Sequence, residues 1–492
     1  MMNNVTPERA GIRSADIRSY VQFLESHHYA MHSILIARGD DIIFEHYVKP
    51  FHADFCHRLY SVTKSFTSLA IGFCIQDGLV RLDSTMKELF PEETAGITDR
   101  NVLNQTVRDM LMMKTSKSNF SWFTSGCDDR VKQYFDPRFN KNYRPPQSFW
   151  EYDSPGSFVL GALVERLTGK RLIEYLREKC LDKIGFSKEA RCLKCPGGHS
   201  WADSAFIAKP RDLMYMARFV LNGGSWNGEQ LLDPDYIRDA TDNLTANSRD
   251  VSPDYDKQGY GYQFWRTNGN CYACFGMGGQ IAVMCPEKDM ILVTTADTQG
   301  DGPSMGHIVD GFVNLVVKNA GEPLPESSNH GELLTYCAGL RLSEAIGDPF
   351  SLTEAKIDGV EYSLAENPMG ITRFKFTFNS DGGVFEYTNA QGDKTLDFGR
   401  VGYGNKYGLF PEEGYSKEIG SVSEPGHRYK CAASAAWAAQ STLSLRVQVI
   451  DDYFGNMTAT FVFDGDNVKL EMKKTAEDFL KEYTGSAVGH KA

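Results

Sequence analysis

The sequence predicts an α/β (α+β) chain: an antiparallel sheet flanked by helices, with a helical lobe over about 83–220, plus a C-terminal all-β accessory domain. Three observations carry that expectation. β-prone runs at 33–48 and again from 259 onward enclose a long stretch patterned as helices. Beyond residue 332 the texture turns to short alternating runs divided by Gly, Asn and Asp. Between the regions lies a polar, proline-bearing segment, Glu322-Pro-Leu-Pro-Glu-Ser-Ser-Asn-His-Gly331. The expected division is a domain over 1–322, a linker over 323–331 and a β-rich domain over 332–492.

Taken in order, residues 14–27 have the spacing of an amphipathic helix. Residues 33–48 form two β-prone runs split by Gly39-Asp40-Asp41, a hairpin signal. Around 62–76, Phe66, Leu69, Ala70 and Phe73 recur at helical spacing and Asp77-Gly78 closes the run, so a central buried helix is expected with Ser61 at its start. Within the lobe, Phe158–Glu165 follows a Ser-Pro-Gly start and a second helix runs from Pro210 through Leu221. The sheet is expected to resume at Gly259–Trp265, continue through Gly279–Met284 and end at Met290–Thr295, an antiparallel meander covered by a helix over about 305–319. The last region has runs such as Phe374–Phe378, Leu443–Val449 and Thr458–Phe463. Their residues point to no chemistry.

A chain of 492 residues with 41% apolar and 24% charged residues has the composition of a folded protein with a sizeable core. Its formal net charge of −12, with no basic run to offset it, argues against nucleic acid and anionic membrane surfaces as partners. No stretch approaches the roughly 20 apolar residues needed to span a bilayer, and no export signal is visible, so a cytoplasmic location is expected. Eleven cysteines, an odd number, do not resemble a secreted disulfide framework; free, partly buried thiols fit better. Two Cys-x-x-Cys pairs, Cys192/Cys195 and Cys271/Cys274, would make a zinc site only if the two halves met in space. Neither metal nor cofactor is expected, and the oligomeric state is left open.

Chemistry concentrates at Ser61-Val62-Thr63-Lys64, which sets a hydroxyl and an amine one helical turn apart. A lysine serves as base only where burial or positive neighbours pull its pKa from about 10.4 toward 7–8. Spacing alone is weak: Ser-x-x-Lys arises by chance about twice in a chain of this length, and Ser84-Thr-Met-Lys87 is a second instance, there in a polar turn that reads as a helix cap. Two further features raise the standing of Ser61. Tyr152-Asp153-Ser154 leads into a helix, where a tyrosine can relay protons; the simpler reading is packing for Tyr152 and a cap for its neighbours. Gly276-Met277-Gly278-Gly279-Gln280 precedes an apolar strand, where glycines let a substrate approach backbone donors; alone it would read as a bulge or tight turn.

Together, Leu59-Tyr-Ser-Val-Thr-Lys-Ser-Phe-Thr-Ser68, Asp77-Gly-Leu-Val-Arg-Leu-Asp83, Val107–Met113, Tyr152-Asp153-Ser154, Gly259–Trp265 and Gly276–Gln280 resemble the β-lactamase-related serine hydrolases over roughly residues 5–320. That group includes class C β-lactamases, DD-peptidases, family VIII esterases and aminohexanoate-oligomer amidases. The resemblance implies a β-lactamase/penicillin-binding-protein-like fold with Ser61 as nucleophile, Lys64 as general base and Tyr152 as proton-transfer partner. It places the Ser61 amide and that of Gly279 or Gln280 at the oxyanion, with Gly278 and Ser154 beside the substrate.

Two departures narrow the substrate. The third motif lacks the family's Lys or His, removing the obvious cation for a β-lactam or peptidoglycan carboxylate, and Ser154 replaces an Asn. A small ester or amide is therefore expected. The alternatives are acyl transfer from the same acyl-enzyme, β-lactamase or DD-peptidase-like activity, and a catalytically silent binding module. His307 could approach the pocket, although a surface or helix-capping role is the simpler reading.

Overall fold

The computed structural model describes residues 2–116, 128–138, 144–248, 254–476 and 483–492. The chain divides into two compact units: Met1–Leu340 with Glu418–Gly420, and Arg341–Lys417 with Ser421–Ala492.

The first unit is built on a sheet that, among the described residues, has the strand order Asn3–Asn4, Asp41–Tyr47, Met31–Arg38, Met290–Ala296, Gln280–Cys285, Cys271–Gly276, Trp265–Thr267. Every pairing is antiparallel except that of the short first strand. Its inner strands read as near-continuous apolar runs because both faces are covered. On one face Ile34, Ile36, Ile281, Val283 and Leu292 meet Ile17, Tyr20 and Leu24 of the helix Ser14–Ser26 and Ile308 and Phe312 of the helix Ser304–Leu315. On the other lies the helix Pro210–Leu221, packed on the three central strands. Each such fully buried aliphatic side chain is worth roughly 1.5–3 kcal/mol, which makes this layer a stiff platform.

The helix Thr63–Gln76 is buried from Thr63 through Cys74. It packs against the helix Ser154–Thr168, where Gly161 is required because a Cβ there would lie 2.0 Å from Ala202 Cβ. Phe66 stacks on Phe206 at 4.3 Å, tying the same helix to the short strand Phe206–Ala208.

Three local readings are corrected. Gly259–Phe264 is irregular, with Gln263 at φ +64°, and the strand starts only at Trp265. Cys271–Gly276, read above as part of a Cys-x-x-Cys pair, is an inner strand. Helix Ser328–Gly339 begins inside the expected linker and runs beyond it. Leu333 and Cys337, one turn apart, sink into the core of the first unit, so the units part at Leu340 and Arg341.

The second unit is all-β, with ten strands from Glu361–Leu364 to Gly485–Lys491 among its described residues. Pairing of Gly392–Arg400 with Ser423–Ala439 curls the sheet back on itself into a barrel-like form. Phe374, Phe376, Phe385, Phe398 and Phe461 fill its interior. Among the described residues no helix is long and apolar enough to cross a membrane.

Candidate active site

Ser61 sits in the 3-10 turn Tyr60–Val62, directly before the buried helix Thr63–Gln76. Two hydrogen bonds pin that turn: Leu59 N donates to Phe206 O (2.8 Å) and Phe206 N donates to Thr63 Oγ1 (3.0 Å). Tyr60 is held at φ +47°, a left-handed conformation that costs a bulky residue on the order of 1–3 kcal/mol. Its ring is buried beneath the Arg58 guanidinium, 4.8 Å from the ring centre. Strain of this kind persists where the surroundings over-determine it, and here it presents the neighbouring serine.

Lys64 is 2% exposed. Its Nζ donates to Ser61 Oγ at 2.9 Å and to the carbonyl oxygen of Asp203 at 2.8 Å, and lies 4.9 Å from the centre of the Tyr152 ring. The first and second sequence motifs therefore meet around one amine. Tyr152 stacks on Trp265 (5.6 Å, 26°) with Trp150 beside both. Among the described residues its hydroxyl makes no hydrogen bond to Ser61 or Lys64; the ring face is what meets the amine. Ser154 is buried at the first position of its helix, and Asp153 is the cap, accepting from Gly156 N (2.9 Å) and Thr115 Oγ1 (2.7 Å).

Gly278 and Gly279, at φ +79° and +92°, form the turn between Cys271–Gly276 and Gln280–Cys285. Thr298 N donates to Gly278 O (3.0 Å) and Thr294 Oγ1 to Gly279 O (2.9 Å), fixing both peptides. Gln280 points its side chain inward: Nε2 donates to Ala296 O (2.6 Å) and Oε1 accepts from Ala296 N (3.3 Å). Its amide side chain is thus a clamp between strands, leaving only its backbone for a substrate. The strand Cys271–Gly276 lies against the Tyr60–Val62 turn, and Gly276 abuts the carbonyl of Leu59 directly before that turn.

Three residues absent from the expected set join the site's surroundings. Gly276 could have been found within its glycine run. Gln263 receives a hydrogen bond at its carbonyl from Ser65 Oγ (2.8 Å), and its side chain bridges Ser157 Oγ and the carbonyls of Met110 and Leu111. Neither it nor Asp203 carries a local signal, because the partners lie 106 to 198 residues away in sequence.

Other candidates resolve differently. Ser84 Oγ accepts from Arg81 N (3.2 Å), while Thr85 caps the following helix. His307 Nδ1 is bound to Tyr29 Oη (2.6 Å) and its ring packs against His27 and Phe23. Cys271 is bonded to Cys285 on the neighbouring strand, against the expectation of free thiols there. Burial holds Cys192, Cys195 and Cys274 protonated, and no group of three or more metal-ligating side chains converges among the described residues.

A family model described as Beta-lactamase matches residues 17–308. The 6-aminohexanoate-dimer hydrolase of Paenarthrobacter ureafaciens is 25% identical over 285 residues, 53% of this chain and 71% of that protein. Lovastatin esterase of Penicillium rubens is 27% identical over 173 residues, 31% of this chain and 43% of that protein. Among solved structures, a penicillin-binding protein homologue from Caulobacter crescentus superposes with a TM-score of 0.51 at 17% identity, covering 63% of this chain and 98% of that one. The D-amino acid amidase of Ochrobactrum anthropi does so at 0.50 and 16%, covering 62% and 97%. These two structures share the fold of the first unit.

Proposed function

We propose that this chain, which belongs to the Beta-lactamase family and is a serine hydrolase of that family, cleaves a small ester or amide through an acyl-enzyme on Ser61. The observation that carries this reading is the 2.9 Å contact between Lys64 Nζ and Ser61 Oγ, made by an amine that solvent barely reaches. In the first step Lys64 Nζ takes the hydroxyl proton as Oγ bonds to the carbonyl carbon. The ammonium so formed is stabilised by the Asp203 carbonyl and by the face of the Tyr152 ring. Backbone N–H groups of Ser61 and of the Gly278–Gln280 segment are assigned to the oxyanion, and Ser154 to a substrate contact. Tyr152 passes the proton to the departing alcohol or amine. Water then attacks the acyl-enzyme by the reverse route, and the acid is released.

Substrate choice rests on the Gly276–Gln280 run, which by the resemblance replaces the family's Lys- or His-bearing motif and carries neither residue; its Met277 is 41% exposed. A substrate whose binding depends on a carboxylate finds no charge there. The two named relatives hydrolyse an amide and an ester, which supports an acyl bond of either kind. The test is turnover of p-nitrophenyl butyrate, nitrocefin and short amides by the purified chain and by Ser61→Ala. The ester or an amide should turn over in preference to nitrocefin, with the variant slower by roughly three to six orders of magnitude. Equal rates in the two proteins would overturn the proposal.

A further inference from the structure

The carboxyl group of Asp203 is fully buried, and among the described residues neither of its oxygens has a hydrogen-bond donor. Such a group is costly, and a protein keeps one where its charge is used. The same residue lends its main-chain oxygen to Lys64 Nζ at 2.8 Å, so its backbone is locked to the proposed base. Resting on the reading of Ser61 and Lys64 given above, we propose that Asp203 is a positioning residue whose buried carboxylate sets the pH at which Lys64 gives up its proton.

The surroundings support this. Cations face the carboxyl from three elements: Lys64 on the central helix, Arg58 on the strand His57–Arg58 and Arg130 on the helix Arg130–Phe135. Arg58 Nε donates to Ser204 O (2.9 Å), and the guanidinium groups of Arg58 and Arg130 both lie on the ring of Trp201, at 5.0 and 4.5 Å from its centre. Ser204's hydroxyl stands near enough to favour the charged carboxylate without completing a hydrogen bond. Burial raises the acid's pKa, and Lys64, Arg130 and Arg58 offset only part of that rise. Cys192 and Cys195 also feel its field, and burial keeps both thiols neutral. Tyr152 faces the same amine with its ring. Three cationic side chains thus face the one buried carboxyl of Asp203, and Lys64 is the one whose amine the same residue also holds through its main-chain oxygen.

The sign follows from Coulomb's law. An anionic Asp203 favours the ammonium of Lys64; a neutral side chain there withdraws that support, so the proton leaves at lower pH. The experiment is the rate of Ser61 labelling by a fluorophosphonate probe on the full chain from pH 5 to 10. Three proteins are compared: the unsubstituted chain, Asp203→Asn and Asp203→Glu. The acid limb should move to lower pH by about one unit or more in Asp203→Asn and stay within about 0.3 unit in Asp203→Glu. If Asp203→Asn does not melt cooperatively, Asp203→Ser removes the charge with a smaller side chain and takes its place. Coincident limbs with only a reduced plateau would show a structural role and overturn the inference. Absence of labelling on Ser61 in the unsubstituted chain would instead overturn the nucleophile assignment, and this inference with it.

Discussion

Gly276 lies so close to Leu59 that a Cβ on it would stand 2.2 Å from the Leu59 carbonyl oxygen. This contact seats the third-motif strand on the turn that carries Ser61. Gly276→Ala must therefore push strand and turn apart. The expected result is a loss of about 1–3 kcal/mol in unfolding free energy and a fall in kcat/KM of at least tenfold. Thermal melting and ester turnover of the one variant check both.

Tyr152→Phe keeps the ring beneath the Lys64 amine and removes the hydroxyl. Stability should change by less than about 0.5 kcal/mol, because among the described residues that hydroxyl has no hydrogen bond to Ser61 or Lys64 to lose. Turnover of an ester should fall by roughly two to four orders of magnitude if the hydroxyl relays the leaving-group proton. Rapid-quench measurement of acylation and deacylation shows which step slows.

Gln263 holds the second motif to the central helix. Replacing it with Ala strips the Met110 carbonyl and the Ser157 hydroxyl of a buried partner. The expected cost is about 2–4 kcal/mol by urea denaturation, larger than an ordinary core polar substitution.

His32 and His57 are buried beside Phe51, and burial holds both imidazoles neutral, His57 down to about 3. Their pKa values are depressed on folding, so their full stability is present above the unfolded value of about 6.5 and is lost as pH falls below it. Unfolding should take up close to two protons between pH 6 and 4, a slope of up to about 2.7 kcal/mol per pH unit. Urea titrations at pH 7.5, 5.5 and 4.5 measure it, and His57→Phe should remove about half.

In the second unit, Glu412 accepts from Tyr387 Oη (3.0 Å), Asn389 Nδ2 (2.9 Å) and Tyr483 Oη and pairs with Lys394 (3.1 Å). Burial alone would raise its pKa, but the bonds from Tyr483, Lys394 and Tyr387 outweigh it and hold the carboxylate ionised. Glu412→Ala leaves the lysine and both phenols without that partner. A loss of roughly 3–5 kcal/mol in the unfolding of this unit is expected by calorimetry.

What could be read from the residues alone was what is local. Ser61 and Lys64 are three apart, so their contact follows from helix geometry, and the runs 33–48 and 290–295 became strands because their composition admits little else. Contacts that depend on tertiary placement were not legible. Gln280 reads as a polar residue beside a glycine turn, yet it folds inward to clamp Ala296. Cys271 reads with Cys274, three residues on, yet its bond is to Cys285 across the hairpin. Gly259–Phe264 has strand-like residues, but the positive φ of Gln263 serves Ser65, Ser157 and Met110 instead of a ladder. Asp203 has no neighbour in sequence that hints at Lys64.

The central claim is a covalent bond between Ser61 Oγ and the acyl group of the substrate. Acid quenching during steady-state turnover of a p-nitrophenyl ester, followed by intact-mass measurement and peptide mapping, tests it most directly. The account predicts a mass increase equal to the acyl group, carried by the peptide containing Ser61 and absent from Ser61→Ala. An adduct on another residue, or undiminished turnover in Ser61→Ala, would contradict it.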